Sequence, residues 1–303
     1  EVFSEVPGFL DVAEHRIMVS ADFQPKRLRA YRVPDALKGE VSRQIQEMLK
    51  NGVIRPSTSE MASPLVCVLK GPQGQGGVRL AVDFRYINKF SNGDAFPTPD
   101  ISAVMERVSK ARWISTFDAK WGYWQIAMAE DSRWLTGFVG DEGLFEFCRM
   151  PFGLKCASNT FIRAISIILQ NIRDFVESFV DDMAVCSMSW KEYLSHLERY
   201  LQTIKQAGLT LSLKKCRFAR NKVTFVGHVI GSGLKEIDPS KIECLSSITA
   251  PTTKKEVRKL MGFFNYFRSF IPNMAETTCV ITDLTRKEVS NRVPWEPEHQ
   301  RAL

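Results

Sequence analysis

Asp181 and Asp182 stand between two short apolar runs, residues 175–180 and 183–187, with nothing else to separate them. Two apolar runs divided by a pair of polar residues read as two strands joined by a tight turn. A chain with this pattern has to fold a β-hairpin that carries adjacent carboxylates at its tip. A third carboxylate, Asp118, ends the strand-like run 113–118 (WISTFD). If that strand lies beside the hairpin, all three meet at one sheet edge.

Grouped carboxylates repel and raise one another's pKa unless a cation offsets them. Magnesium binds through one or two carboxylates plus substrate phosphates. Two such ions, about 4 Å apart, activate a hydroxyl and stabilise a leaving pyrophosphate. Two other readings stay open on these residues alone. Asp-Asp is an ordinary hairpin turn. A pair of carboxylates also suits acid/base hydrolysis, although that explains neither the third aspartate nor the basic stretch described next.

The formal charge is +7, from 41 basic and 34 acidic residues. Residues 1–150 hold 19 of each sign, so the whole excess lies in residues 151–303. Between Glu198 and Glu236 there is no acidic residue, but there are eight basic ones, among them Lys214, Lys215, Arg217, Arg220 and Lys222. Such a stretch suits a polyanion such as nucleic acid, or is a solvated basic face. Hydrophobic residues make up 44% of the chain and charged residues 25%, which argues against disorder throughout. No run of about 18 uncharged apolar residues exists, so a membrane span is not expected. Seven scattered cysteines, none in C-x-x-C spacing, fit a reducing intracellular setting and read as small buried hydrophobes. The first residue is Glu1, so the chain reads as a piece of something longer.

Periodicity places the remaining elements. Residues 1–30 have little apolar density and read as a linker or strap. A helix is expected over 34–52, with Leu37, Val41, Ile45, Met48 and Leu49 on one face. Strands are expected over 65–70 and 78–84 around the glycine-rich turn 71–77, and over 123–129, 135–139, 144–149 and 223–230. Ser158 reads as the cap of a helix running to about 170. Ser189 with Glu192, and Thr253 with Glu256, read as capping boxes. The first box opens a helix with Leu194, Leu197, Leu201 and Ile204 inward. The second opens one with Val257, Leu260, Met261, Phe264 and Phe267 inward. The middle of the chain then runs β-α-β-β-α-β, which suits an α+β fold with an antiparallel sheet backed by two helices.

Eight segments, in order, carry a resemblance. They are RPSTSEMASPLV (55–66), VRLAVDFRYINK (78–89), STFDAKWGYWQI (115–126), GLFEFCRMPFGLKCAS (143–158), FVDD (179–182), GLTLSLKKCRFA (208–219), VTFVGHVI (223–230) and KEVRKLMGFFNYFRSFIPN (255–273). Together they resemble the reverse transcriptase of gypsy-like long-terminal-repeat retrotransposons and, more distantly, the retroviral enzymes. Phe179 stands where that group usually has Tyr. Trp134-Leu135 and Ser158-Asn159-Thr160 also depart from its usual pattern.

The resemblance implies a right-hand polymerase with a split β-α-β palm sheet. It assigns 31–93 and 126–160 to fingers, 94–125 and 161–230 to palm, and 231–285 to thumb. Residues 286–303 would begin a truncated connection to a ribonuclease H region. The implied activity is RNA-directed and DNA-directed DNA synthesis on two Mg2+ ions, with Mn2+ a possible substitute; the alternative is an inactive nucleic-acid-binding remnant. Asp118, Asp181 and Asp182 would be the catalytic metal ligands. Lys70, Arg79, Tyr123 and Phe152 would bind the deoxynucleoside triphosphate, with Tyr123 under the sugar. Phe225, Val226, Gly227 and His228 would grip the primer, and Lys214 or Lys215 would approach the triphosphate. Expected partners are an RNA or DNA template, a primer, and protease, ribonuclease H and integrase modules of a parent polyprotein. The expected location is cytoplasmic, in a virus-like particle.

Overall fold

The computed structural model describes residues 2–69, 71, 77–237 and 249–303. The chain forms two compact units, Glu1–Val226 with Ile230–Leu234, and Gly227–Val229 with Lys235–Leu303. In the first unit the chain runs β1 (Leu10–His15), α1 (Asp35–Lys50), β2 (Ile54–Pro56), β3 (Ser63–Leu69), β4 (Val78–Val82), α2 (Arg85–Phe90) and α3 (Ile101–Lys110). It continues through β5 (Trp113–Asp118), β6 (Ile126–Met128), α4 (Glu130–Arg133), β7 (Phe138–Gly140), β8 (Gly143–Phe147) and α5 (Ala157–Ile168). Then follow β9 (Val176–Phe179), β10 (Asp182–Ser187), α6 (Trp190–Gln206), β11 (Arg217–Arg220) and β12 (Val223–Phe225).

The β-α-β-β-α-β stretch forms one antiparallel sheet in the order β11-β5-β10-β9. Side chains alternate across it, as strand geometry requires. Phe117, Met183 and Val185 enter the main core with Phe161 and Ile165 of α5 and Tyr200 and Ile204 of α6. Ile114 and Ala184, on the opposite face, pack with Val104 and Val108 of α3 and Phe225 of β12. With both faces covered, the polar ends of β5 and β10 are where the sheet meets solvent.

A second sheet has the order β2-β8-β7-β3-β4. Here β3 runs parallel to β7, and the other pairs are antiparallel. Helix α1 buries Val41, Ile45 and Met48. These side chains join Leu65, Val82, Phe138 and Phe147 in the same core as the first sheet.

Several expectations need correction. Residues 1–30 are not a plain linker, because β1 pairs in parallel with β6 and buries Leu10 fully. Its partner lies more than a hundred residues on, so local pattern does not reveal it. Residues 123–129 split into a 3-10 turn (Gly122–Gln125) and the short β6. Residues 135–139 likewise divide between a 3-10 turn (Trp134–Thr136) and β7. The N-cap of α5 is Cys156, without a side-chain cap bond, and Ser158 sits inside the helix. Strand 223–230 is broken after Phe225 by Val226 and Gly227, both at positive φ (47° and 74°). Both capping boxes form. On α6 the expected Ile204 is buried and Leu197 and Leu201 pack partly buried against the core, but Tyr193 and Tyr200 are the other fully buried residues and Leu194 is half exposed.

In the second unit, α7 (Lys254–Tyr266) buries Val257 and Leu260, and Val257 packs with Ile281, Leu284 and Val293. Phe267 is buried too, while Met261 and Phe264 are only partly covered. Among the described residues the six cysteines are unpaired; Cys216 is buried and Cys279 exposed, so the expectation of uniform burial fails. Cys244 lies outside the described residues. No helix among the described residues is long and apolar enough to cross a membrane.

Candidate functional site

Strand β5 ends at Asp118 and strand β10 begins at Asp182, and the two residues are direct cross-strand partners. The same register pairs Ala184 with Thr116, so the hydrophobic pattern of two strands fixes this meeting of carboxylates. Val180 turns the hairpin at φ 55°, a conformation a β-branched residue adopts only where the surroundings compel it. Asp181 follows, exposed at the tip.

Burial pushes the Asp182 carboxyl up to about 6, helped by the neighbouring charges of Asp181 and then Asp118. The Lys215 ammonium and the backbone amide of Val226 oppose that shift. Lys215 Nζ donates to both carboxylate oxygens of Asp118, at 3.0 and 3.1 Å. It reaches them from the 3-10 turn Leu213–Lys215.

Asp118, Asp181 and Lys215 line one cleft of about 410 Å³ together with Arg79, Tyr123 and Phe152. Arg79 stands on β4, which α1 holds from behind. Tyr123 comes from the 3-10 turn that follows Trp121, itself at φ 53°. Its ring stacks on Phe152, with centroids 4.9 Å apart and planes 26° apart, and lies tilted against Phe161 at 5.4 Å. Tyr123 Oη shares a 2.7 Å hydrogen bond with Ser158 Oγ. Burial raises the phenol's pKa; the Ser158 bond works against this. Gly122 lies so close to Phe161 that an added Cβ would stand 2.9 Å from its Cζ. Only glycine lets the turn approach the helix this far.

Sequence reasoning missed several residues. Gln44 and Trp124 also line the cleft. Gln125 is fully buried and bonds at both ends of its amide. Its Nε2 donates to the carbonyls of Lys120 and Thr210, and its Oε1 accepts from the amide of Thr210. This ties the Tyr123 turn to the segment that leads to Lys215. Asn88 Nδ2 donates to the Gly153 carbonyl and Asn88 Oδ1 accepts from the Lys155 amide, which fixes the loop holding Phe152. For Gln125, a lone amide between Trp124 and Ile126 was the available signal; Asn88, beside Lys89, offered none.

The other expected site residues fall elsewhere. Lys70 lies outside the described residues. Lys214 does not line the cleft, and its charge helps hold Glu5 below the usual carboxylate range after Lys120. Phe225 is 2% exposed, packed in the core beneath the sheet. In the second unit, His228 stacks on Tyr266 at 5.3 Å and on Phe270 at 5.7 Å. A neighbouring hollow is lined by Thr116, Val223 and Thr224 together with Lys215, Arg217, Arg220 and Lys222. Half of the eight basic residues of the acid-free stretch thus surround one concavity.

A divalent metal is testable against this donor set. Among the described residues no three acidic, His or Cys side chains close into a ready metal cage. Magnesium does not need one, since it takes one or two carboxylates and completes its shell with water and phosphate. The oxygens here are hard donors, and Lys215 already sets a positive charge on Asp118. The residues fit such an ion once Lys215 gives up an oxygen of Asp118.

Residues 68–230 match the family described as reverse transcriptase (RNA-dependent DNA polymerase). The Retrovirus-related Pol polyprotein from transposon opus of Drosophila melanogaster is 34% identical over 270 residues, which is 88% of this chain and 27% of that protein. The corresponding polyprotein from transposon gypsy, of the same fly, is 32% identical over 91% of this chain and 28% of its own length. The Pro-Pol polyprotein of feline foamy virus is 29% identical over 98% of this chain and 25% of its own length. The chain thus spans about a quarter of these relatives. Among solved structures, the foamy viral protease-reverse transcriptase dRH in complex with double-stranded DNA matches with a TM-score of 0.90 at 26% identity, over 99% of this chain and 53% of that one. The foamy viral protease-reverse transcriptase in complex with RNA/DNA hybrid matches at 0.86, also at 26% identity, over 99% of this chain and 40% of that one.

Proposed function

The chain belongs to the reverse transcriptase (RNA-dependent DNA polymerase) family, and from that premise we propose that it extends a primer 3′-hydroxyl with deoxynucleotides on an RNA or DNA template. The observation that carries this reading is the meeting of Asp118, Asp181, Arg79, Tyr123 and Phe152 around one cleft, with the third carboxylate, Asp182, paired to Asp118 behind it.

Each residue has a task in that reaction. Asp118 and Asp181 would hold two divalent ions, Mg2+ or in its place Mn2+, and Asp182 would support them from within the sheet. When bound, such ions lower the pKa of the attacking hydroxyl and neutralise the leaving pyrophosphate. Arg79 lines the same cleft from β4 and would clamp the triphosphate. Lys215 would exchange Asp118 for a phosphate oxygen as the nucleotide enters. Phe152 and Tyr123 form an aromatic platform for base and sugar. The turn at Val226 and Gly227 would carry the primer end, with the Val226 amide bound to Asp182. The basic hollow beside the cleft would follow the duplex backbone.

Primer extension with magnesium tests this directly. Asp181→Asn should lower the extension rate by several orders of magnitude and leave duplex affinity largely intact. A variant retaining a tenth of the wild-type rate would remove Asp181 from the metal site. Wild-type protein that binds duplex but never extends it would mark a non-catalytic binder instead.

A further inference from the structure

We infer that Ser158 is a positioning residue that sets how strictly the cleft excludes ribonucleotides, by pinning the free end of the Tyr123 ring. The inference rests on the polymerase reading given above.

The Tyr123 ring is confined on most sides. Its backbone sits in a 3-10 turn pressed against Phe161 through Gly122. One face lies on Phe152, a residue that is itself 51% exposed and therefore a yielding wall. What remains is rotation about the side-chain bonds, which moves the phenol oxygen furthest. That oxygen is caught by Ser158 Oγ at 2.7 Å. Ser158 stands in the first turn of α5, and α5 is anchored by Phe161 and Ile165 in the core. The hydroxyl is thus presented by a core-anchored helix to the free end of the Tyr123 ring, where a single bond has the greatest leverage.

A steric gate discriminates by the cost of moving the wall. A 2′-hydroxyl under the sugar forces the ring to yield or the sugar to rise. With the phenol bonded to Ser158, yielding breaks that bond; without it, the ring turns more freely toward Phe152. The bond therefore weighs against the ribonucleotide and costs the deoxynucleotide nothing. A net hydrogen bond of ordinary strength should be worth about threefold to tenfold in selectivity, equivalent to about 0.7–1.4 kcal/mol.

The experiment is single-nucleotide insertion with paired deoxy and ribo substrates, comparing the ratio of their kcat/KM values. Ser158→Ala should reduce this ratio about threefold to tenfold, chiefly through a lower ribonucleotide KM. Tyr123→Phe should reduce it by the same factor. The double variant should do no worse than either single one, because both remove the same bond. Ser158→Thr, which restores a hydroxyl, should recover the wild-type ratio. Multiplying effects in the double variant, or a Ser158→Ala ratio within twofold of wild type, would overturn the assignment while leaving the polymerase reading intact. A wild-type chain that extends no primer would overturn both.

Discussion

Asp182 faces Asp118 across β5 and β10, and like charges set directly opposite one another weaken a sheet. Burial first, and then the charges of Asp181 and Asp118, push the Asp182 carboxyl from 3.8 to about 6. The folded chain therefore holds this proton more tightly than the unfolded chain does. Stability falls as pH rises from about 4 to about 6, and the penalty is fully present above that. Asp182→Asn should accordingly raise the melting temperature of the metal-free protein by a few degrees near pH 8 and leave it unchanged near pH 4. Differential scanning fluorimetry at the two pH values checks this; an equal shift at both would trace the gain to packing. The same substitution should impair extension, so stability and activity are set against each other at one side chain.

Among the elements, the turn Gly122–Gln125 brings Tyr123 and Trp124 to the cleft, and the Gln125 amide ties it to Thr210. Gln125→Leu would leave the Lys120 carbonyl and the Thr210 amide without their Gln125 partner, while the Thr210 carbonyl would keep only the Lys120 amide. We expect a loss of about 3 kcal/mol, read as a lower urea midpoint. A loss below about 1 kcal/mol would mean that the bonds are replaced by water. This turn also shows where local pattern stops being informative. Residues 123–129 look like a strand because Tyr, Trp and Ile favour strands. Trp121, just upstream in a left-handed conformation that no propensity favours, opens the 3-10 turn that takes residues 123–125 out of the strand. Val226 hides the turn before His228 for the same reason. By contrast the hairpin of β9 and β10 and both capping boxes were legible, since each rests on neighbours in sequence, whereas the meeting of Asp118 with the hairpin depended on the pairing of β5 with β10. Ser158 was misread as a cap because a serine near a helix start has two uses, and only the fold brings Tyr123 within reach of it. Lys214 and Lys215 could not be told apart until the 3-10 turn placed Lys215 on Asp118.

Over the whole molecule, the charge divides sharply between a neutral first half and a second half that carries all of the +7. The hollow lined by Arg217, Arg220 and Lys222 gives part of that charge a shape. Each phosphate that such a residue neutralises adds about 0.9 to the log–log dependence of affinity on salt for B-DNA. Replacing Arg217, Arg220 and Lys222 together with neutral residues should flatten the slope by about 2 to 3 units in a fluorescence titration. An unchanged slope would leave this hollow facing solvent in the complex.

The anchoring of Gln125 to Thr210 also sets what lengths of chain are free to change. Asp118 is fixed by its register with β10, and Gln125 by its bonds to a segment 85 residues further on. The run between them is therefore a spacer of fixed length, and one residue more or less would carry Tyr123 off the aromatic stack. Among the described residues, the tip between β7 and β8 is tied only by an exposed side-chain bond, from Gln46 Nε2 to Glu142 Oε2. Gly140 pairs with Gly143, and Asp141 and Glu142 stand exposed between them. An epitope or a fluorophore-bearing insertion belongs there, and drift in length among descendants of this chain should collect at that tip long before it reaches the spacer.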